Sequence, residues 1–302
     1  MIVLLAESIR FFDTTLRDGE QTPGVSLTPA GKLEIATHLA DIGVHVIEAG
    51  SAAASAGERE SIRVIAEAGL AAECCTYVRA LAGDIDLAAD AGADSVHLVV
   101  PVSDLHISAK LRKTREQVCD MAWSAVEYAK ERGLIVELSG EDASRADQAF
   151  LAEVFREGVE RGADRLCFCD TVRLLTPDAA AAIIPPLLFA PLSIHCHDDL
   201  GFGVANTVAD LRAGATCAHV TVNGLGERAG NTALEELVMS LETLYGVDTG
   251  IRTEELYPLS THVARLTGVP LATNKPILGE MAFTHTLAIG VLSALRQLNK
   301  RV

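Results

Sequence analysis

Basic residues are scarce in this chain of 302 residues: 25 Lys and Arg stand against 41 Asp and Glu, a formal charge of −16. So acidic a chain is poorly suited to a polyanion, which argues against nucleic acid or an anionic membrane surface as principal partner. CxxC pairs are absent as well. The seven cysteines (Cys74, Cys75, Cys119, Cys167, Cys169, Cys196 and Cys217) are scattered, most of them in apolar, strand-like runs. Reduced, buried thiols in a cytoplasmic protein are the expectation. There is no secretory apolar region at the start, only IVLLA before Glu7. The run AAAAIIPPLLFAPL (179–192) is too short and too broken by proline to span a bilayer.

Low-complexity linkers are missing too, and in their place stands repetition. Six segments share one pattern, a helical run, then Gly, then a short β-branched or apolar run: DIGVHVIEAG (41–50), EAGLAAECCTYV (67–78), AGADSVHLVV (91–100), ERGLIVELSG (131–140), RGADRLCFCD (161–170) and AGATCAHVTV (213–222). Gly suits the left-handed position that ends a helix, and the run after it suits a buried parallel strand. IRFFD (9–13) and LSIHC (192–196) bring the strands to eight. The intervening helices are expected over 28–41, 57–68, 81–91, 114–132, 147–161, 176–189, 202–213 and 231–245. Strict alternation of eight strands and helices implies an α/β fold, a parallel sheet closed into a (β/α)8 TIM barrel. A doubly wound open sheet is the alternative, but TTLRDGEQTPG is a poor match for the GxGxxG turn that sheet would want. The barrel is assigned to 1–250. A short helical tail, 251–302, is expected to be broken at Pro258, Pro270 and Pro276, with no regulatory domain.

Active sites of such barrels lie at the C-terminal ends of the strands, and here nearly every strand end carries a polar group. In order these are Asp13, Arg17 and Asp18; Glu48; Tyr77 and Arg79; His97; Ser139, Glu141 and Asp142; Asp170 and Thr171; His195 and His197; and Asn223. Burying them unpaired would be costly, so a metal, a ligand or mutual pairing must satisfy them. His195 and His197 are the sharpest signal. Alternate strand residues share a face, so the two imidazoles project together while Cys196 faces the other layer. Paired imidazoles beside a carboxylate-rich strand end suit a divalent metal.

These residues also carry a family resemblance. FDTTLRDGEQTPGVSLTP, IEAG, LSGEDASR, CDTVRLLTP, HCHDDLGFGVANT and TVNGLGERAGNTALEEL resemble, in order over roughly 9–285, the 2-isopropylmalate, citramalate and homocitrate synthases. These belong to the metal-dependent DRE-TIM superfamily that also includes 3-hydroxy-3-methylglutaryl-CoA lyase. The resemblance implies a divalent ion (Mg2+, Mn2+ or Zn2+) on Asp18, His195 and His197, with Asn231 as a further ligand or near neighbour. It implies Arg17 over the reacting carbonyl, Gln21 holding that loop, and Glu141 and Thr171 on a 2-oxo acid, with Arg17 and Glu141 as catalytic groups. Glu48, Tyr77 and Ser139 complete the expected substrate pocket. The implied reaction is condensation of an acyl-CoA, acetyl-CoA in the first instance, with a 2-oxo acid to give a 2-alkylmalate and CoA. The metal would polarise the keto group. A homodimer is expected, because the tail in this family often reaches a neighbouring subunit.

Two positions depart from the family pattern. Arg173 stands where the family reads Gly in DTVG, and Gly290 stands where it reads the His of ESGIH, which helps deprotonate the acyl-CoA methyl. Glycine accepts no proton, so His285 or Tyr257 nearby, a different reaction, or low activity follows. A lyase or aldolase cleaving a related C–C bond, or a non-catalytic relative, are therefore the alternatives. No leucine-sensing domain follows, so leucine feedback is not expected. Some homocitrate synthases carry Arg and His at the positions of Glu137 and Tyr77 to hold a distal carboxylate. Their replacement here argues for a monocarboxylic 2-oxo acid such as pyruvate or 2-oxoisovalerate.

Overall fold

The computed structural model describes residues 8–172, 174–282 and 284. Arg173, His285 and Gly290 lie outside the described residues. Eight parallel strands close on themselves in chain order, β1 beside β8. They are β1 (Arg10–Asp13), β2 (Val46–Glu48), β3 (Glu73–Arg79), β4 (Ser95–Pro101), β5 (Ile135–Glu141), β6 (Arg165–Asp170), β7 (Leu192–Cys196) and β8 (Cys217–Val220). Around them run α1 (Pro29–Asp41), α2 (Ala56–Glu67), α3 (Ala82–Asp90), the single turn α4 (Asp104–His106), α5 (Arg115–Glu131), α6 (Gln148–Glu160), α7 (Pro177–Ile183), α8 (Gly203–Arg212), α9 (Leu234–Tyr245) and α10 (Leu256–Thr267). The architecture is thus the expected (β/α)8 barrel.

Local chemistry starts the helices where the pattern placed them. The Thr28, Ser55, Thr114, Asp147 and Thr176 side chains each accept a backbone N–H of the first turn, and Thr114 forms a reciprocal capping box with Gln117. Three expectations need correction. The helix over 176–189 stops at Ile183, because Pro185 and Pro186 lack the N–H groups that would continue it; a 3-10 turn follows. The helix expected from 231 begins at Leu234, since Asn231 pairs with His197 and Ala233 with Thr221 as isolated bridges. Pro258 does not break the tail. It occupies the first turn of α10, where its missing N–H costs nothing, and α10 buries Leu256, Leu259 and Val263.

Outward-facing strand residues such as Leu98, Leu138, Leu166 and Ile194 join the helices in one apolar core. The barrel interior differs. Phe12, Val46, Cys75 and Cys217 form its small apolar patch. Above the patch stand ionisable groups in layers, as the tilt and register of a barrel dictate. Glu137 belongs to the deeper layer: its oxygens take hydrogen bonds from His219 Nε2 (2.8 Å), Ser193 (2.8 Å) and Arg165 Nε (3.2 Å). It therefore does not line the cavity at the mouth, and the substrate argument drawn from it loses its basis.

Candidate metal centre and active site

The loop after β1 and the end of β7 converge at the barrel mouth. Asp18 Oδ2 lies 3.4 Å from His195 Nε2, and His195 Nε2 lies 3.4 Å from His197 Nε2. Donor atoms of all three residues fall within 4.8 Å of one another, and all three side chains are buried. Two imidazole nitrogens turned toward each other beside a carboxylate are a set of converging lone pairs. Asn231 sits next to this set through its bridge to His197. Gly230 allows that approach: at φ 93°, a Cβ there would lie 1.8 Å from the Gly224 carbonyl oxygen. Asp18 Oδ1 and Asn231 Oδ1 are buried and accept no hydrogen bond. Buried, unpaired carboxylate and amide oxygens beside two converging imidazoles fit a divalent cation.

Arg17 is anchored beside this centre. Its Nε donates to Glu48 Oε2 (2.8 Å), its Nη1 to Asp18 Oδ2 (3.0 Å), and its guanidinium lies 5.3 Å from the Tyr77 ring centroid. Burial alone would push the Asp18 carboxyl up, but Arg17 and the two imidazoles outweigh it and hold Asp18 well below the usual carboxylate range. Glu48 follows the same logic. Burial opposes its charge, and Arg17 and His97 more than compensate, so it stays ionised. Burial would lower His97, yet the Glu48 carboxylate 2.7 Å from its Nδ1 raises it to about 9.

The resulting cavity has a volume of about 440 Å³ and is walled by Arg17, Asp18, Gln21, Tyr77, His97, Glu141, Thr171, His195 and His197 among others. Two expected pocket residues sit behind this wall. Glu48 is fully buried, with both oxygens engaged by Arg17, Thr14 and His97. Ser139 is equally enclosed, 2.5 Å from His97 Nε2. The order Glu48–His97–Ser139 has the outline of a nucleophilic triad, but the hydroxyl has no path to a substrate.

Of the remaining strand ends, Asn223 bonds to Ser260, Arg79 pairs with Asp84, Asp142 is tied to Arg145 and Ser103, and Asp170 caps the turn at Leu174. Tyr257 is exposed on α10. Glu141 faces the cavity held by Lys110 Nζ (2.7 and 2.8 Å) and by His106 Nδ1 (3.0 Å). Sequence reasoning missed Lys110, Val99, Cys169 and Glu227 in the wall. Cys169 was within reach, since it shares parity with the inward face of β6. Lys110 was not, because it rides on a π-helical turn, Ile107–Leu111, that no periodicity announces.

Residues 8–263 match a family described as HMGL-like. A putative (R)-citramalate synthase CimA of Methanoculleus marisnigri is 88% identical over 296 residues, covering 98% of this chain and 59% of the relative. The (R)-citramalate synthase CimA of Methanocaldococcus jannaschii is 56% identical over 286 residues, 94% of this chain and 58% of the relative. The chain thus spans about three fifths of the length of the curated relatives it matches. Among solved structures, hydroxymethylglutaryl-CoA lyase of Pseudomonas aeruginosa superposes with a TM-score of 0.78 at 21% identity, over 88% of this chain and 95% of the lyase. That likeness speaks for the fold.

Proposed function

The chain belongs to the HMGL-like family, and we propose that it condenses acetyl-CoA with a short monocarboxylic 2-oxo acid, pyruvate first, and that water then hydrolyses the thioester of the adduct to give citramalate and CoA. The observation that carries this reading is the Asp18–His195–His197 cluster with Arg17 anchored beside it in one cavity, in a chain 88% identical to a putative citramalate synthase. A divalent ion held by Asp18, His195 and His197, with Asn231 adjacent, would supply Lewis acidity to the keto group of the bound acid; Mg2+, Mn2+ and Zn2+ are the candidates, the carboxylate and amide oxygens suiting Mg2+ or Mn2+ and the two imidazoles Zn2+.

The chain's own residues do the rest. Arg17 holds a fixed positive charge where the keto oxygen becomes an alkoxide, and Glu48 keeps that charge from swinging away. The Thr171 hydroxyl, which already accepts the Asp142 N–H (2.9 Å), and Gln21 hold the substrate carboxylate side of the cavity. Tyr77 and Val99 line the same cavity and are assigned to the 2-oxo acid's substituent. Glu141 is the proton acceptor for the thioester methyl, released from Lys110 as the co-substrate arrives.

A trough of about 390 Å³ shares Tyr77, Val99, Lys110 and Glu141 with the cavity and continues between Leu81, Leu111 and Met121. Arg79, Lys110 and Lys113 gather along it in an otherwise acidic chain. Apolar walls with cations at the rim suit the pantetheine arm and phosphates of an acyl-CoA. A cytoplasmic homodimer is part of the proposal, the dimer resting on the family resemblance, in which the tail reaches a neighbouring subunit. Among the described residues no helix is long and apolar enough to cross a membrane.

Thiol release from acetyl-CoA, read with Mg2+ or Mn2+ across a panel of 2-oxo acids, tests the proposal. Pyruvate is expected to give the highest kcat/KM and 2-oxoglutarate little. Silence across the panel, with cleavage of a 3-hydroxyacyl-CoA instead, would turn the assignment to a lyase.

A further inference from the structure

Cys167 and Cys169 stand two residues apart on β6, so both thiols project into the barrel while Leu166 and Phe168 pack outward in the apolar core. Their sulfurs lie 3.8 Å apart. Cys167 is fully enclosed, 3.8 Å from His219 Nε2, whereas Cys169 forms part of the cavity wall. The proposed reaction uses neither thiol. The strand that carries them runs straight into Asp170 and Thr171, and Thr171 lines the same cavity.

We propose that Cys167 and Cys169 are an oxidisable pair: a small peroxide entering the cavity converts them to a disulfide that closes the site to 2-oxo acids, and a dithiol reductant reopens it. The closure rests on the function proposed above; the disulfide does not. The Cys169 sulfur, which the cavity reaches, attacks the O–O bond to give a sulfenic acid and one water. The Cys167 thiol then displaces the hydroxyl as a second water. Two thiols and one hydrogen peroxide thus become one S–S bond and two waters, the two electrons passing from the sulfur pair to the peroxide oxygens.

Geometry gives the bridge its character. The sulfurs must close from 3.8 Å to the roughly 2.05 Å of a disulfide. Alternate residues of an extended strand are roughly 6.6 Å apart at Cα, near the upper end of the roughly 4.4–6.8 Å that disulfides span. A bridge at this limit pulls on the strand and is reduced more readily than a relaxed one. The pull draws the Cys169 sulfur out of the cavity wall and displaces Thr171. That residue's hydroxyl accepts the Asp142 N–H, and its carbonyl accepts Arg228 Nη2 at 3.1 Å.

The test treats the whole chain, loaded with Mn2+, with stoichiometric hydrogen peroxide. Intact mass and peptide mapping are read beside calorimetric titration with pyruvate. A 2 Da loss localised to Cys167 and Cys169, with pyruvate affinity weakened at least tenfold and restored by dithiothreitol, is expected. Cys167→Ala should bind pyruvate as the untreated protein does and lose the reversible response. Thiols that stay free, or a Cys169 that goes to sulfinic acid with no bridge, would overturn the pairing. A bridge that leaves pyruvate affinity unchanged would overturn the closure. If the reduced protein binds no pyruvate, the assigned function fails, and the mass shift alone decides whether the pair exists.

Discussion

Glu48 touches nothing in the cavity, yet Arg17 and His97, both in its wall, are oriented by it. Its two oxygens carry three hydrogen bonds, and a carboxylate is needed to hold Arg17 by charge as well as geometry. Glu48→Gln should therefore lower kcat/KM for condensation about a hundredfold, on the order of 2.7 kcal/mol of transition-state stabilisation, while metal stoichiometry by elemental analysis stays unchanged. An unaffected rate would mean that Arg17 is held by Asp18 and Tyr77 alone. Asp13, on the outer side of β1, makes a pH prediction. Burial pushes its carboxyl up from 3.8 to about 7, against the opposing hydrogen bonds from Thr15. A raised folded-state value means that the folded form binds more protons between these limits, so its stabilising contribution is complete below pH 3.8 and is lost as pH rises to about 7. Asp13→Asn should flatten that part of the melting-temperature profile between pH 4 and 7, with the largest gain over the parent above pH 7. Identical slopes for parent and variant would show that Asp13 is ionised throughout.

At the scale of elements, β7 carries the metal hypothesis. His195 ends inside the strand and His197 lies just beyond it, and the loop with Asn231 pairs against that end. His197→Ala should abolish Mn2+ binding and thiol release while leaving far-UV circular dichroism and the thermal transition of the barrel in place, since the apolar core lies outside the strands. Retained stoichiometric metal would refute the ligand set. The turn Ile107–Leu111 carries the co-substrate hypothesis: Lys110→Ala should raise KM for acetyl-CoA severalfold with little change in KM for pyruvate. These elements also mark what was legible beforehand. The Gly-then-strand repeat revealed six strands, the apolar runs IRFFD and LSIHC added two to make the barrel, and alternation placed His195 and His197 on one face. Alternation tells face, however, and not height. Glu137, Ser139 and Glu141 share the inward face of β5, yet only Glu141 reaches the cavity; the others end one or two layers below it. Height follows from strand tilt and from the register with both neighbours, which is a property of the closed sheet rather than of any one segment. The π turn that brings Lys110 to Glu141 likewise has no local signature, and Pro258 misled because its place in a first turn depends on where α10 begins.

At the scale of the molecule, ionisable groups recur along the bore, beside its small apolar patch, from the candidate metal site at the mouth to an ionic cluster at the opposite end. There Arg165 binds Glu73 at 2.7 and 3.0 Å and Glu137 at 3.2 Å, with Arg10 on Glu73 at 3.5 Å. Burial would raise Glu137, but His219 and Arg165 hold it down at about 2, so it is charged at neutral pH. The cluster is remote from the cavity and joins β3, β5 and β6 across the bore, so its effect belongs to closure of the whole sheet. Removing one partner of a buried ionic set leaves the other charge without compensation, which costs roughly 3–5 kcal/mol, whereas replacing the set with apolar groups costs far less. Arg165→Ala should accordingly lower the urea midpoint by an amount in that range while sparing pyruvate affinity of the folded protein. Adding Glu137→Gln and Glu73→Gln should recover much of the loss, because the stranded carboxylates are then gone. If Arg165→Ala unfolds no more easily than the parent, water entering the cavity at the barrel's lower end, which Arg10, Glu73, Arg165 and Ser193 line, compensates Glu137, and the cluster does not hold the sheet closed.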